Sequence, residues 1–156
     1  MQRRSPEYDK PSRLHVGARL GVAAIFAAAC AAANAQTPVA VQVTVVPSGD
    51  VPPVGGACST PQRNYKVCVS TDPVRTPNVP EGTDVAIVWT LTTSGWKFVN
   101  NQGIDIKNKK NWNLPERGDT RYTATNKKEK GDLYKYDVNV TDGQTPALKF
   151  DPSIMN

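Results

Sequence analysis

The sequence predicts an all-β protein: an antiparallel, immunoglobulin-like β-sandwich of about seven to eight short strands that follows a cleaved signal peptide. Three observations lead to this prediction. Apolar and polar residues alternate with a period of two in several short segments. Segments rich in proline, glycine and asparagine separate them. After residue 35, no segment repeats its apolar residues with a helical period.

The first 35 residues have the parts of a secretory signal. A basic region precedes an apolar, alanine-rich stretch at 20–33, and Ala33-Asn34-Ala35 has the small-x-small cleavage pattern. Cleavage after Ala35 makes Gln36 the first residue of the mature protein. As a helix, the stretch spans roughly 21 Å, shorter than a membrane span needs. We therefore expect a periplasmic or secreted protein without a stable membrane span.

Cys30 offers an alternative processing site. It follows three alanines, and this run partly resembles the lipobox of bacterial lipoproteins, in which the cysteine becomes the lipidated N-terminus. The position three before the cysteine, usually leucine, is Ala27. Processing before Cys30 would leave a lipid-anchored protein, whereas cleavage after Ala35 would release it.

Removing the leader changes the chemistry that the chain can offer. The leader holds five basic and two acidic residues, so the net charge falls from +5 to about +2, too small an excess to predict a nucleic-acid partner. His15, the only histidine, also lies in the leader. The mature chain therefore has no histidine for a Ser-His-Asp or Cys-His mechanism, or for a histidine-ligated zinc site.

The first three predicted strands lie between residues 39 and 91. Valines alternate with small or polar residues over 39–45, and a second alternation covers 65–69. Connections rich in proline follow both segments, at 47–61 and 73–80. Segment 84–91 is the most apolar of the mature chain and has mostly apolar residues on both faces, which predicts a central strand.

Five later segments complete the predicted set. Residues 96–99 and 104–106 are short strand candidates with a turn between them, and 121–125 is another strand. Residues 133–140 have the clearest alternation, with tyrosine and valine on one face and charged or amide side chains on the other. An Asp-Gly turn follows, and 147–150 is the final short strand.

The chain is expected to contain one folded domain after the signal peptide at 1–35. Residues 36–62 form its N-terminal strand and Pro/Gly-rich loop, and 63–156 form the main part of the β-sandwich. The length that remains is enough for one domain with a hydrophobic core.

Cys58 and Cys68 are the two cysteines that remain after cleavage. In an oxidising compartment, an even pair predicts a disulfide, which would close a short loop and contribute a few kcal/mol at most. The alternative is two reduced, buried cysteines. Their spacing matches neither a C-x-x-C metal site nor a redox motif.

Five short runs stand out in the C-terminal half of the chain: Val-Trp-Thr-Leu at 88–91, Gly-Trp-Lys-Phe at 95–98, Gly-Ile-Asp-Ile at 103–106, Tyr-Lys-Tyr at 134–136 and Asp-Pro-Ser-Ile-Met-Asn at 151–156. Through these runs the chain resembles small, functionally uncharacterised exported proteins of Gram-negative bacteria. The resemblance covers about residues 84–156. The resemblance implies export and a β-sandwich. It implies no activity and no binding residues.

Trp112 is the best candidate for an exposed contact residue, because it lies in an otherwise polar loop. With Lys107, Lys109 and Lys110 it forms a candidate binding patch for an anionic glycan or another anionic polymer. The alternative is that the Trp112 ring folds back over the end of the sandwich and that the lysines are solvated. Core packing is expected for Trp89.

The remaining candidates give little support to catalysis. The carboxylates are scattered, and their spacing selects no pair for a hydrolase. No calcium-loop spacing or phosphate-binding loop is present in the sequence, so we predict no cofactor and no metal.

These observations favour an exported, non-enzymatic β-sandwich, an envelope-associated or secreted interaction or structural module whose partner is an envelope protein or a glycan. The alternative is a carbohydrate- or anionic-glycan-binding module that uses Trp112 and the nearby lysines. A small carboxylate-dependent hydrolase is the remote alternative.

Overall fold

The computed structural model describes residues 36–52, 55–108, 110, 112–127 and 133–156. The predicted signal peptide, its cleavage site at Ala35, the alternative lipidation site at Cys30, and Lys109 lie outside the described residues. From Gln36 onward, the described residues belong to one compact unit.

The described residues form twelve β-strands, several of them only two or three residues long. None of these residues belongs to a helix that is long and apolar enough to cross a membrane. The strands are β1 (Val39–Pro47), β2 (Ala57–Cys58), β3 (Tyr65–Val69), β4 (Val74–Arg75), β5 (Asp84–Leu91), β6 (Lys97–Phe98), β7 (Ile104–Ile106), β8 (Trp112–Arg117), β9 (Arg121–Lys127), β10 (Leu133–Thr141), β11 (Leu148–Phe150) and β12 (Ser153–Met155).

The strands form two sheets of six strands each. Sheet 1 has the order β2-β3-β1-β5-β9-β8. Sheet 2 has the order β11-β10-β12-β4, and β6 and β7 also pair with β10. The edge strands of the described part are therefore β2 and β8 in sheet 1, and in sheet 2 β11 and β4 on one side and β6 and β7 on the other.

Both sheets are mixed, so the prediction of a purely antiparallel arrangement is wrong. β1 pairs antiparallel with β3 but parallel with β5, because it lies between two strands that run in opposite directions. β12 likewise pairs antiparallel with β10 and parallel with β4. Alternation within a segment shows which face is buried, but it carries no information about the direction of the neighbouring strand.

All eight predicted strand segments contain a strand of the structure, and four observed strands were not predicted. β2 and β4 have two residues each, too few for a periodic pattern. β8 contains Pro115 and polar residues and its pairing with β9 shifts register between Asn113 and Glu116, so it has no clean alternation. β12 directly follows Pro152, where no further strand was predicted.

One core contains inward-facing side chains of both sheets. Val41 and Val43 of β1, and Ile87 and Trp89 of β5, are at most 1% exposed. The predicted apolar face of β10 is confirmed, because Tyr134, Tyr136, Val138 and Val140 are all buried. The outer face of β5 is less buried than predicted: Ala86 and Val88 are half-buried and Thr90 is exposed.

Three pairs of aromatic rings connect the sheets. The ring centroids of Trp89 in β5 and Tyr136 in β10 are 5.5 Å apart. Those of Phe98 in β6 and Tyr122 in β9 are 5.1 Å apart, with a T-shaped geometry. A third pair joins β8 to β10 at 5.3 Å. Each such pair contributes about 0.5–1.5 kcal/mol beyond the burial of its surface.

Gly103 is the position where this ring packing leaves least room. An ideal Cβ at Gly103 would lie 2.4 Å from Cβ of Phe98 and 2.8 Å from Cε2 of Tyr122. The Gly103 amide donates to the Tyr122 hydroxyl at 3.2 Å, and that hydroxyl donates to the Val99 carbonyl at 3.3 Å. Any side chain at Gly103 would push the two rings apart.

We expect Gly103→Ala to lower the free energy of unfolding by about 2–3 kcal/mol, because the added methyl group overpacks the Phe98–Tyr122 contact. Urea unfolding followed by tryptophan fluorescence measures the effect. Gly49→Ala is the matched control, since no atom lies within 4 Å of an ideal Cβ there. Equal unfolding free energies for the two variants would contradict the packing described above.

Candidate functional site

An open groove lies at one side of the molecule, between the edge strand of sheet 1 and the edge strand of sheet 2. It has a volume of about 490 Å³, within the range of roughly 300–1,000 Å³ for ligand sites. One wall comes from β2 and the residues after it, and the other from β11 and the residue after it. Its lining residues are Cys58, Ser59, Thr60, Gln62, Lys149, Phe150 and Asp151.

The first wall is fixed by the disulfide that the sequence predicted. Cys58 and Cys68 are bonded across neighbouring strands, with their Cα atoms 4.0 Å apart. The amide of Ser59 donates to the Val67 carbonyl at 2.8 Å. In an antiparallel pair this places Cys58 and Cys68 at a non-hydrogen-bonded position. The backbone N–H and C=O of Cys58 therefore point away from β3, toward the outer side of the sheet.

In the second wall, a side chain occupies the hydrogen-bonding edge of β11. The carboxamide of Gln62 accepts a hydrogen bond from the Lys149 amide at 3.0 Å and donates one to the Lys149 carbonyl at 2.5 Å. Lys149 lies opposite Asn139 of β10. The Asn139 amide donates to the Gly103 carbonyl, on the other side of β10. Asn139 and Lys149 are therefore a non-hydrogen-bonded pair, and the amide and carbonyl of Lys149 point away from β10. Gln62 thus occupies the position that the peptide unit of a further strand would take.

A hairpin turn positions Gln62. The backbone amides and carbonyls of Gln62 and Tyr65 are bonded reciprocally, at 2.7 and 3.0 Å. Between them, Arg63 and Asn64 have positive φ values of 51° and 69°, as a two-residue type I′ turn requires. This turn feeds β3 and directs the Gln62 side chain to the edge of sheet 2.

Charged residues continue from the groove onto the outer face of sheet 2. The Asp137 side chain is only 7% exposed, and its carboxylate binds the ammonium groups of Lys107 at 2.5 Å and Lys149 at 2.8 Å. Lys107 also contacts Asp105 at 3.1 Å. Four charges of alternating sign form this network, and they sum to zero.

The network shifts the pKa values of Asp137 and Lys107. Burial raises the pKa of the Asp137 carboxyl, but hydrogen bonds from Lys107 and Lys149 outweigh burial, and the net pKa is lower than usual. The hydrogen bond to Asp137, followed by the one to Asp105, raises the pKa of Lys107. Asp137 and Lys107 are therefore both held in their charged forms near neutral pH.

The structure does not bring the predicted binding residues together as an exposed patch. Trp112 is only 9% exposed, and its ring packs at 5.3 Å against Tyr134. This agrees with the alternative in which the ring folds back over the end of the sheets. The charge of Lys107 is neutralised by Asp137 and Asp105, Lys110 is exposed, and Lys109 lies outside the described residues.

Sequence reasoning missed the groove because its parts lie far apart in the chain. Gln62 and Lys149 are 87 positions apart, and neither belongs to a motif. Asp137 was assigned to the solvated face of β10, yet it is buried by the two lysines that bind it. The charged residues that the predicted strands carry at 105, 137 and 149 are a signal that could have located this network.

The described residues contain no group of three histidine, cysteine, aspartate or glutamate side chains that could hold a metal ion. The groove instead offers the outward backbone groups of Cys58, the Thr60 hydroxyl, the Phe150 ring and the charged side chains of Lys149 and Asp151. The Ser59 hydroxyl is bonded to the Thr60 carbonyl and the Val67 amide. Comparison of the chain with protein-family models, curated proteins and solved structures finds no match.

We expect Gln62→Ala to unprotect the Lys149 amide, because its hydrogen bond is lost and water reaches the edge of β11. The free energy of unfolding should fall by about 1–2 kcal/mol. Amide hydrogen exchange followed by NMR measures the first effect, and urea unfolding the second. Gln144→Ala, in an exposed turn, is the control. Unchanged exchange at Lys149 in the Gln62 variant would refute the assigned contact.

Asp137 makes stability depend on pH in acid. Because its folded pKa is lowered, its contribution is complete above the unfolded pKa of about 3.9 and is lost as pH falls through the folded pKa. When the pH is lowered from about 6 to about 2, the free energy of unfolding should therefore fall more for the wild type than for Asp137→Asn.

Urea titrations at several pH values test this, with the exposed Asp50→Asn as the control that keeps the wild-type slope. At neutral pH we expect Asp137→Asn to cost roughly 1–3 kcal/mol, less than for a fully buried pair because both lysines are about half exposed. Parallel pH profiles for wild type and Asp137→Asn would show that the carboxylate is not held by the lysines.

Proposed function

We propose that the protein is an exported, non-enzymatic binding module of the bacterial envelope, and that it engages a partner through the groove between β2 and β11. The observation that carries this proposal is the outward-facing backbone of Cys58, in a groove that also presents Lys149 and Asp151. Backbone and side-chain groups of this kind recognise a partner and fix its orientation.

Export is supported by two independent features. The leader at 1–35 has the basic, apolar and small-x-small parts of a signal peptide. Cys58 and Cys68 lie at disulfide distance, and disulfides persist in oxidising compartments such as the periplasm. We place the mature protein there or outside the cell, with lipid attachment at Cys30 as the alternative form.

The fold suits this role. We infer that the two sheets form a β-sandwich of immunoglobulin-like architecture, because their inward side chains share one core and aromatic rings connect them. In such a fold, an edge or a loop cluster carries the binding surface while the core holds it rigid. The described groove lies at an edge of this kind.

The groove is a better binding surface than the patch around Trp112. A ring that stacks on a sugar must expose a face, and Trp112 is 9% exposed. Phe150 in the groove is only half-buried, and Ser59 and Thr60 line the same groove. A glycan therefore stays an alternative partner, but it would bind in the groove and not at the Trp112 patch.

We expect Thr60→Trp to abolish partner capture without loss of stability, because the exposed Thr60 lines the groove and an indole ring there would fill it. The tagged protein, expressed with its own leader, is incubated with envelope extract, and retained material is identified by mass spectrometry. The matched control is Thr90→Trp, on the outer face of β5. A partner retained equally by both variants would place the binding surface elsewhere.

A further inference from the structure

We infer that the groove binds an extended peptide segment, which pairs with the outer edge of β2 at Cys58. This inference rests on the proposed function and names the class of its partner. It joins three features of the described residues: an open strand edge, a closed opposite edge, and one charge of each sign along the groove.

The open edge is that of β2. The pairing of Ser59 with Val67 turns the N–H and C=O of Cys58 away from β3, and none of the described strands pairs with β2 on that side. A strand residue whose backbone groups point away from its partner strand presents its N–H donor and its C=O acceptor side by side at the open edge. An extended peptide is the ligand that satisfies both with its own backbone.

The disulfide makes this edge rigid. A strand of two residues forms few ladder hydrogen bonds and would fray by itself. The bond to Cys68, which is 1% exposed and part of the interior, fixes β2 in place. An incoming strand therefore meets an ordered edge, and less conformational entropy is lost when it binds.

Gln62 directs the peptide to β2 and away from β11. Its carboxamide satisfies both outward groups of Lys149, so β11 has no free donor or acceptor at that residue. Addition at β2 then extends sheet 1 by one strand and leaves sheet 2 unchanged.

The charges of the groove define the side chains that the peptide carries. Lys149 and Asp151 are exposed and line the groove. The Lys149 ammonium also binds Asp137 at 2.8 Å, but the side chain is 56% exposed, and an ammonium has further N–H donors for a peptide carboxylate. Because they are two positions apart, an extended chain separates them by roughly 6.6 Å. A peptide with an acidic and a basic residue two positions apart on one face complements both. This charge pattern, together with the free backbone of Cys58, favours a peptide over a glycan.

The test uses two acetylated, amidated hexapeptides of threonine and valine, each with one glutamate and one lysine two positions apart, in the two possible orders. Amide exchange of Cys58 is measured by NMR on the full mature protein. With peptide at about ten times its dissociation constant, we expect exchange at Cys58 to slow about tenfold. The control peptide has the same side chains but N-methyl groups on alternate residues, which removes the donors of the pairing edge.

A charge variant tests the contact with Asp151. Asp151→Lys should weaken binding of the preferred peptide and should favour the same peptide with glutamate in place of its lysine. Thr60→Trp should abolish binding of both. If the Asp151→Lys variant binds the peptide with two glutamates, the variant must be folded. This result therefore distinguishes a binding contact of Asp151 from a structural role.

Three results would overturn the inference. The first is binding without slower exchange at Cys58, and the second is equal binding of the N-methylated control. The third is no binding of either hexapeptide at millimolar concentration. None of these results decides the proposed function, which depends on whether Thr60→Trp loses its envelope partner. Capture of a glycan in that experiment would support the proposed binding module and would contradict the inference that its ligand is a peptide.

Discussion

The packing of aromatic rings between the two sheets is the contact on which the other features depend. Tyr136 of β10 meets Trp89 of β5, and Tyr122 of β9 meets Phe98 of β6. These rings are nearly or fully buried, so they set the distance between the sheets and the register in which the sheets face each other. The close fit at Gly103 follows from the same contacts, because the backbone there lies against the side chains of Phe98 and Tyr122.

Two stacked sheets have edges, and this molecule manages its edges in different ways. At β11 a side chain from the hairpin before β3 provides the hydrogen bonds of a missing strand. At β2 a disulfide fixes a very short strand but leaves its outer backbone groups open. An open edge invites pairing with another chain. The difference between the closed and the open edge makes the groove a candidate site.

Local patterns predicted much of the fold and little of the site. The period of two in β1, β5 and β10 reports burial on one face, and the structure buries those faces. β2 and β4 were missed because two residues carry no period. The parallel pairing of β1 with β5 was missed because strand direction is a tertiary property. The Cys58–Cys68 pair was predicted, since cysteine pairing depends on count and compartment. Gln62 and Asp137 act through partners far away in the chain, which no local pattern reports.

Lys149 contributes to two surfaces at the same time. Its side chain lines the groove, and its ammonium group binds the buried carboxylate of Asp137. A ligand carboxylate that draws this ammonium toward the groove leaves Asp137 with Lys107 as its remaining lysine partner, and the proton affinity of Asp137 then rises. Binding of such a ligand would therefore be thermodynamically linked to protonation of Asp137, and each would change the free energy of the other by the same amount. Acidification would act on the groove through a residue that does not line it.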